Sequence, residues 1–186
     1  GARLENIELP EVELTQQHLM AMIHADAVAV HARRLDEQPD TFGPDVLDRL
    51  RHGQAVTWRV YADAMRFKER WLRTLEGVFS RVDVLLMPTC PVTAPLHTDA
   101  VKMLETTRQL SRFTYAWALA GTPALSVPCG FAANGLPAGI QLVAPRWQDA
   151  RVLALGAHYQ RITAHHLRRP ALLEAVLSGA ADRQQP

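Results

Sequence analysis

A chain of 186 residues that is 48% hydrophobic is long enough to bury one ordinary core, which excludes disorder as its main state. Lys and Arg number 20 against 19 Asp and Glu, and the resulting formal charge of +1 advertises no nucleic acid, membrane surface or strongly acidic partner. Two cysteines cannot build a dense disulfide framework, and no apolar run approaches the roughly 20 residues that span a bilayer, so the expectation is a cytoplasmic protein, with a lone bond between Cys90 and Cys129 as the minor alternative.

The chain opens at Gly1-Ala2 without methionine, as a tag remnant or the middle of a longer gene would. "NIELP" alternates Ile7 and Leu9 with polar neighbours and stops at Pro10, which predicts a short strand leaving a sheet. From Thr15, read as an N-cap, Leu19, Met22, Ile23, Ala27 and Val30 recur at three- and four-residue spacing and predict a helix to about Leu35. His24, His31, Arg33 and Arg34 fall on its opposite, solvated face. "FGPDVLDRLRHG" gives a short helix with Pro44 in its first turn and Gly53 as its stop.

Between about Ala55 and Ser80 a second long helix carries the stripe Val60, Ala64, Phe67, Trp71, Leu75 and Val78, which should pack on a sheet. "VDVLLMP" supplies a strand apolar enough to be covered on both faces, ended by Pro88. "PTCPVTAPLH" then places prolines at 88, 91 and 95, a stiff, irregular loop of the kind that borders binding surfaces. "SRFTYAWALAG" predicts a short helix ending at Gly121, and Pro123 opens "ALSVPCGF", a second buried strand. Asn134-Gly135 supplies a tight turn that pairs this strand antiparallel with "AGIQLVAP". "DARVLALGAHYQRIT" places Val152, Leu155, Gly156, Tyr159 and Ile162 on one helical face, and a last helix runs from Pro170 to Gly179. The fold class is α/β with a mixed sheet.

Chemistry is sparse. Cys129 follows a proline inside an apolar strand, where burial makes a thiol inert, and Cys90 is read as passive pocket lining before it is read as a nucleophile. The eight histidines include an adjacent pair, His165-His166, and none falls at ligand spacing with a cysteine or carboxylate, so neither metal nor cofactor is expected. Ser80, Ser111, Ser126 and Ser178 lie outside any glycine-rich elbow.

"VDVLLMPTCPVTAP", "FTYAWALAGTPALSVPCGF", "GLPAGIQLVAP" and "HHLRRPAL", in this order and spacing, resemble the C-terminal part of amidase signature hydrolases, and "FGPDVLDRLRHG" extends the likeness over nearly the whole chain. The resemblance implies part of an α/β/α sandwich with a mixed β-sheet covered by helices. Residues 1–186 would form a single domain, the C-terminal portion of an amidase signature domain. It further implies carboxamide hydrolysis by a serine nucleophile, a second serine in a cis peptide, and a lysine that draws the proton through the bridging hydroxyl while backbone N–H groups hold the oxyanion. In the family those groups come with a glycine- and serine-rich stretch that has no counterpart here, and neither Lys68 nor Lys102 lies in the family's lysine context.

No catalytic residue is therefore assigned to this chain, which is expected to be inactive alone. The resemblance places the 88–95 loop and the 113–122 segment beside the acyl pocket, with Thr89, Cys90, Thr114 and Trp117 as its lining, although Trp117 fits a core position equally well. Ala116 and Ala118 stand where family members often carry proline and asparagine, which removes a polar anchor. The implied partners are a small-molecule amide and either the missing N-terminal half or a second copy of the chain. A non-catalytic binding module or partner protein on the same fold is the alternative.

Overall fold

The computed structural model describes residues 1–96, 103–170 and 173. Three helices come first: α1 (Thr15–Glu37), α2 (Pro44–Gln54) and α3 (Trp58–Phe79). Strand β1 (Leu85–Pro88) precedes α4 (Met103–Leu110) and α5 (Tyr115–Ala120). The hairpin strands β2 (Ala124–Phe131) and β3 (Pro137–Val143) follow, and then α6 (Asp149–Ile162). The α/β reading holds. The three strands run in the order β1-β3-β2 and pair antiparallel throughout, so a mixed sheet would need a parallel neighbour that is not found among the described residues.

Strand alternation explains how this small sheet carries two cores. Leu85 pairs with Val143, and both point into a cluster formed with Phe67, Trp71, Leu75 and Val78 of α3 and Ala116, Trp117, Leu119 and Ala120 of α5. The next pleat turns Leu142 and Val127 to the other side, where they meet Val152 and Tyr159 of α6. Helices therefore pack on both sides of the central strand β3, the layering expected of an α/β/α sandwich. In α3 the stripe from Ala64 to Val78 is buried at i, i+3, i+7, i+11 and i+14 spacing, and Thr57 caps the helix by accepting a hydrogen bond from the Val60 amide at 3.3 Å.

Several expectations are corrected by what surrounds each residue. "NIELP" forms no strand: Ile7 and Leu9 pack against the first core cluster as irregular chain, with no ladder partner among the described residues. Thr15 is not an N-cap but the first residue of α1, its hydroxyl donating to the Val12 carbonyl at 2.6 Å. The α1 stripe fails at its far end, since Ile23 and Val30 are exposed, and Val60 is exposed at the start of α3. His24 and His31 are half-buried rather than free in solvent, and His31 meets the ring of Phe42 edge-on. On α6 the buried face is Val152, Gly156 and Tyr159, leaving Leu155 and Ile162 exposed.

Neither β1 nor β2 is covered on both faces. Each is an outer strand of this sheet, and Leu86 is 55% exposed. The hairpin connection is the five-residue segment 132–136, closed by Ala132 N–H to the Leu136 carbonyl at 2.9 Å, and only Gly135 takes a positive φ, +78°. Gly121 does end α5 in the left-handed conformation, φ +63°, as a glycine C-cap should. Helix α4 has no counterpart among the elements expected from the pattern, and the helix expected from Pro170 to Gly179 lies outside the described residues apart from Pro170 itself and Leu173.

Two histidines on α1 link this packing to pH. His18 stacks on Phe67 with ring centroids 4.1 Å apart, and its pKa is held below the usual 6.5 by burial first and the Arg70 charge second. Burial and the charges of Arg49, His52 and Arg108 lower His24 in the same direction. A lowered pKa means that the unfolded chain takes up these protons before the folded one does. Stability is therefore expected to fall as pH drops from about 6.5, where the unfolded chain takes up these protons, toward the lower pKa values of the folded state. Urea midpoints measured across that range should decline, and His18→Gln should flatten the slope; a midpoint that rises on acidification contradicts the assignment.

Candidate functional site

The face of the sheet that carries Leu85 and Val143 changes character along its length. In register with them come Met87 and Gln141, and beyond these Thr89, whose amide donates to the Gly139 carbonyl at 3.0 Å and so prolongs the ladder past β1. Across the sheet Ser126 of β2 pairs with Gln141. By alternation Thr89, Gly139, Gln141 and Ser126 all share this face, so an apolar core at one end gives way to a polar ledge at the other.

Gly139 makes the ledge possible. The hydroxyls of Thr89 and Ser126, on the two outer strands, meet above the central strand at 2.7 Å. A Cβ at position 139 would stand 2.9 Å from Ser126 Oγ and 3.1 Å from Thr89 Oγ1, so any side chain there would occupy the space in which the two hydroxyls meet. Two residues along β3, the buried Gln141 donates its amide N–H to the Phe113 carbonyl at 3.0 Å. That bond moors the 113–114 segment to the same strand. The proline-rich loop is held at its other end by Asn134 Nδ2, which donates to Thr93 Oγ1 at 3.0 Å. Proline stiffness and these tethers make the loop a fixed wall rather than a loose flap.

Of the residues expected from the sequence, Thr89 lies on the ledge and Cys90 is exposed one residue further along the loop. Thr114 is half-buried at the entry to α5, its hydroxyl donating to the Ser111 carbonyl at 2.9 Å. Trp117 lies in the core, 2% exposed, its ring centroid 6.4 Å from that of Trp71. The structure thus brings Thr89 to the ledge and the 113–114 segment to Gln141, and places Trp117 beneath them in the apolar cluster. Ser126, Gly139 and Gln141 are absent from the residues that sequence reasoning selects. Each polar one stands alone in an apolar strand run, "ALSVP" and "GIQLV", and that isolation is the available signal.

Cys129 is the extra residue of a β-bulge, since Pro128 pairs with Gly139 and Gly130 with Ala138. Its thiol approaches the Ala138 carbonyl at 3.5 Å, and both cysteines are free thiols. Among the described residues no group of three or more His, Cys, Asp or Glu side chains is placed to hold a metal, and no hydrogen bond joins a serine to a lysine. Thr89, Ser126 and Gln141 are neutral hydrogen-bonding groups. They can orient a carbonyl or amide, but none can act as a proton acceptor near neutral pH. Among the described residues no helix is long and apolar enough to cross a membrane.

Comparison with known proteins finds a consistent pattern. A model of the amidase family matches residues 1–153. An amidase from Pseudomonas putida is 30% identical over 181 residues, covering 94% of this chain and 39% of that protein. One subunit of the glutamyl-tRNA(Gln) amidotransferase from Chloroflexus aggregans is 40% identical over 141 residues, 72% of this chain and 28% of its own length. A crystal structure of an amidase superimposes with a TM-score of 0.70 at 27% identity, over 81% of this chain and 36% of that one. The chain therefore spans 39% of the length of that curated amidase and 28% of the amidotransferase relative.

Proposed function

The chain belongs to the amidase family, and from that premise we propose that it is the C-terminal portion of an amide-hydrolysing domain, supplying scaffold and one wall of the acyl pocket while the reactive groups come from other polypeptide. The observation that carries this reading is the ledge of Thr89 and Ser126 above Gly139, open to one side and built only from neutral groups. Such a surface suits the polar end of a small carboxamide. Hydrolysis additionally needs an activated nucleophile and an oxyanion site.

Cys90 borders the acyl side as lining, and Thr114 helps define the opposite wall through the moored 113–114 segment. Trp117 serves from below, fixing α5 against α3. Both outer strands leave one edge unpaired among the described residues, and each is suited to receive the complementary part of the domain or a second copy of the chain. Two free thiols fit action in a reducing, cytoplasmic setting.

The purified chain should release no ammonia from a simple carboxamide such as benzamide, while NMR titration with the same compound shifts the amides of Thr89, Ser126 and Gly139. Ammonia release that a serine-directed fluorophosphonate abolishes would overturn the expectation of inactivity. Shifts confined to residues away from the ledge would overturn the placement of the wall.

A further inference from the structure

At the opposite end of β3, whose last residue Val143 is roughly 13 Å from Gly139 by strand rise, a second concavity of about 420 Å³ lies between the C-terminal half of α3 and the segment that leaves the sheet. Its apolar walls are Leu72, Leu75 and Phe79 of α3 and Pro145. Two opposite charges reach it, Glu76 and Arg146. Both side chains are exposed, and neither forms an ion pair within 4.0 Å, with each other or with any other described residue. An apolar hollow of this size carrying a few convergent polar groups has the composition of a small-molecule site.

The neighbour of Arg146 in the chain adds a second observation. Trp147 is 85% exposed and sits at φ +67°, a left-handed conformation that a bulky, non-glycine residue rarely adopts. Its ring lies 5.7 Å from the Arg146 guanidinium, a cation–π contact. Gly121 faces the same guanidinium, and a Cβ there would come within 4.0 Å of Nε.

We propose that this hollow binds a small zwitterion with an apolar body, of the size and chemistry of an apolar α-amino acid. The carboxylate pairs with Arg146, the ammonium with Glu76, and the side chain lies on Leu72, Leu75 and Phe79. A plain carboxylate would face repulsion from Glu76, and a plain amine repulsion from Arg146; only a molecule carrying both charges satisfies both residues. The site is separate from the ledge and does not depend on the amide-binding reading.

Calorimetric titration of the full chain with L-phenylalanine tests this, with 3-phenylpropanoate and 2-phenylethylamine as the same body lacking one charge each. Each partial compound should bind about tenfold or more weakly than the amino acid, the effect of losing one charge-assisted hydrogen bond. Arg146→Gln should abolish the advantage over 2-phenylethylamine, and Glu76→Gln the advantage over 3-phenylpropanoate. Leu72→Trp should block all three by filling the hollow while leaving both charges in place. Absence of phenylalanine binding at millimolar concentration overturns the proposal, as does binding that ignores both charge substitutions or a partial compound that binds as well as the amino acid. Circular dichroism of each variant establishes that the fold is retained, and because Glu76 and Arg146 are both exposed, their neutral replacements leave the core untouched.

Discussion

Trp71→Ala should destabilise the chain by about 3–5 kcal/mol from lost volume alone, the range for removing a buried tryptophan. Trp71 is 2% exposed at the middle of α3, in the cluster that joins α3, α5 and the Leu85–Val143 pair of the sheet. Its indole N–H also donates to the Ala116 carbonyl at 2.9 Å, a buried bond that fixes α5 to α3. Truncation leaves that carbonyl without its donor, at about 1–3 kcal/mol more. Against a total stability of about 5–15 kcal/mol for a domain of this kind, such a loss leaves little fold at 37 °C. Trp71→Phe separates the two contributions: it keeps most of the apolar volume and loses only the N–H, so it should cost near the lower figure. Urea midpoints read by near-ultraviolet circular dichroism check both. A loss below about 1 kcal/mol for Trp71→Ala would contradict the central place given to this side chain.

The same cluster explains what could be read from the sequence. The run from Ala64 to Val78 is a stripe that must be buried against something, because its spacing keeps every member on one side of the helix, and all of it is buried. "ALSVPCGF" is legible with its bounds because a proline precedes it and turn residues follow it. Pattern fails where burial depends on a neighbour that the local sequence does not name. Val60, Leu155 and Ile162 continue a helical period past the point where another element covers it. Ile7 and Leu9 alternate like a strand, yet two apolar residues cannot tell a ladder from an irregular segment tethered on the core.

The candidate site divides in the same way. Thr89 stands out through its proline-rich loop, a local feature. Ser126 lies 37 residues away in the chain and meets it only because the central strand carries glycine where their hydroxyls converge. No spacing rule within one element encodes a contact made across three strands. The family resemblance names the 88–95 and 113–122 segments, and it cannot reach the pairing itself.

Gly53 offers the sharpest test of the difference, because helix propensity and packing predict opposite signs there. A glycine at the end of a helical pattern reads as a stop, but in a right-handed helical conformation propensity alone would have its replacement by alanine stabilise by about 0.4–1 kcal/mol. In the structure Gly53 lies inside α2, buried, and is not among the residues with positive φ. A Cβ there would stand 2.6 Å from the His24 carbonyl oxygen and 2.7 Å from Val28 Cγ2, both on α1. Val28 could rotate away, but the carbonyl belongs to the backbone of a 23-residue helix and cannot. Gly53→Ala should therefore push α2 off α1 and lose about 1–3 kcal/mol, the usual cost of overpacking, which exceeds the helix-propensity gain. Adding Val28→Ala removes one obstruction only, so the double variant should remain less stable than Val28→Ala alone. The displacement also opens the surroundings of His24, whose pKa burial holds down, and NMR titration should find that pKa moving back up toward 6.5 in Gly53→Ala. A stabilised variant with an unchanged His24 titration would mean that α2 does not pack on α1 through this glycine.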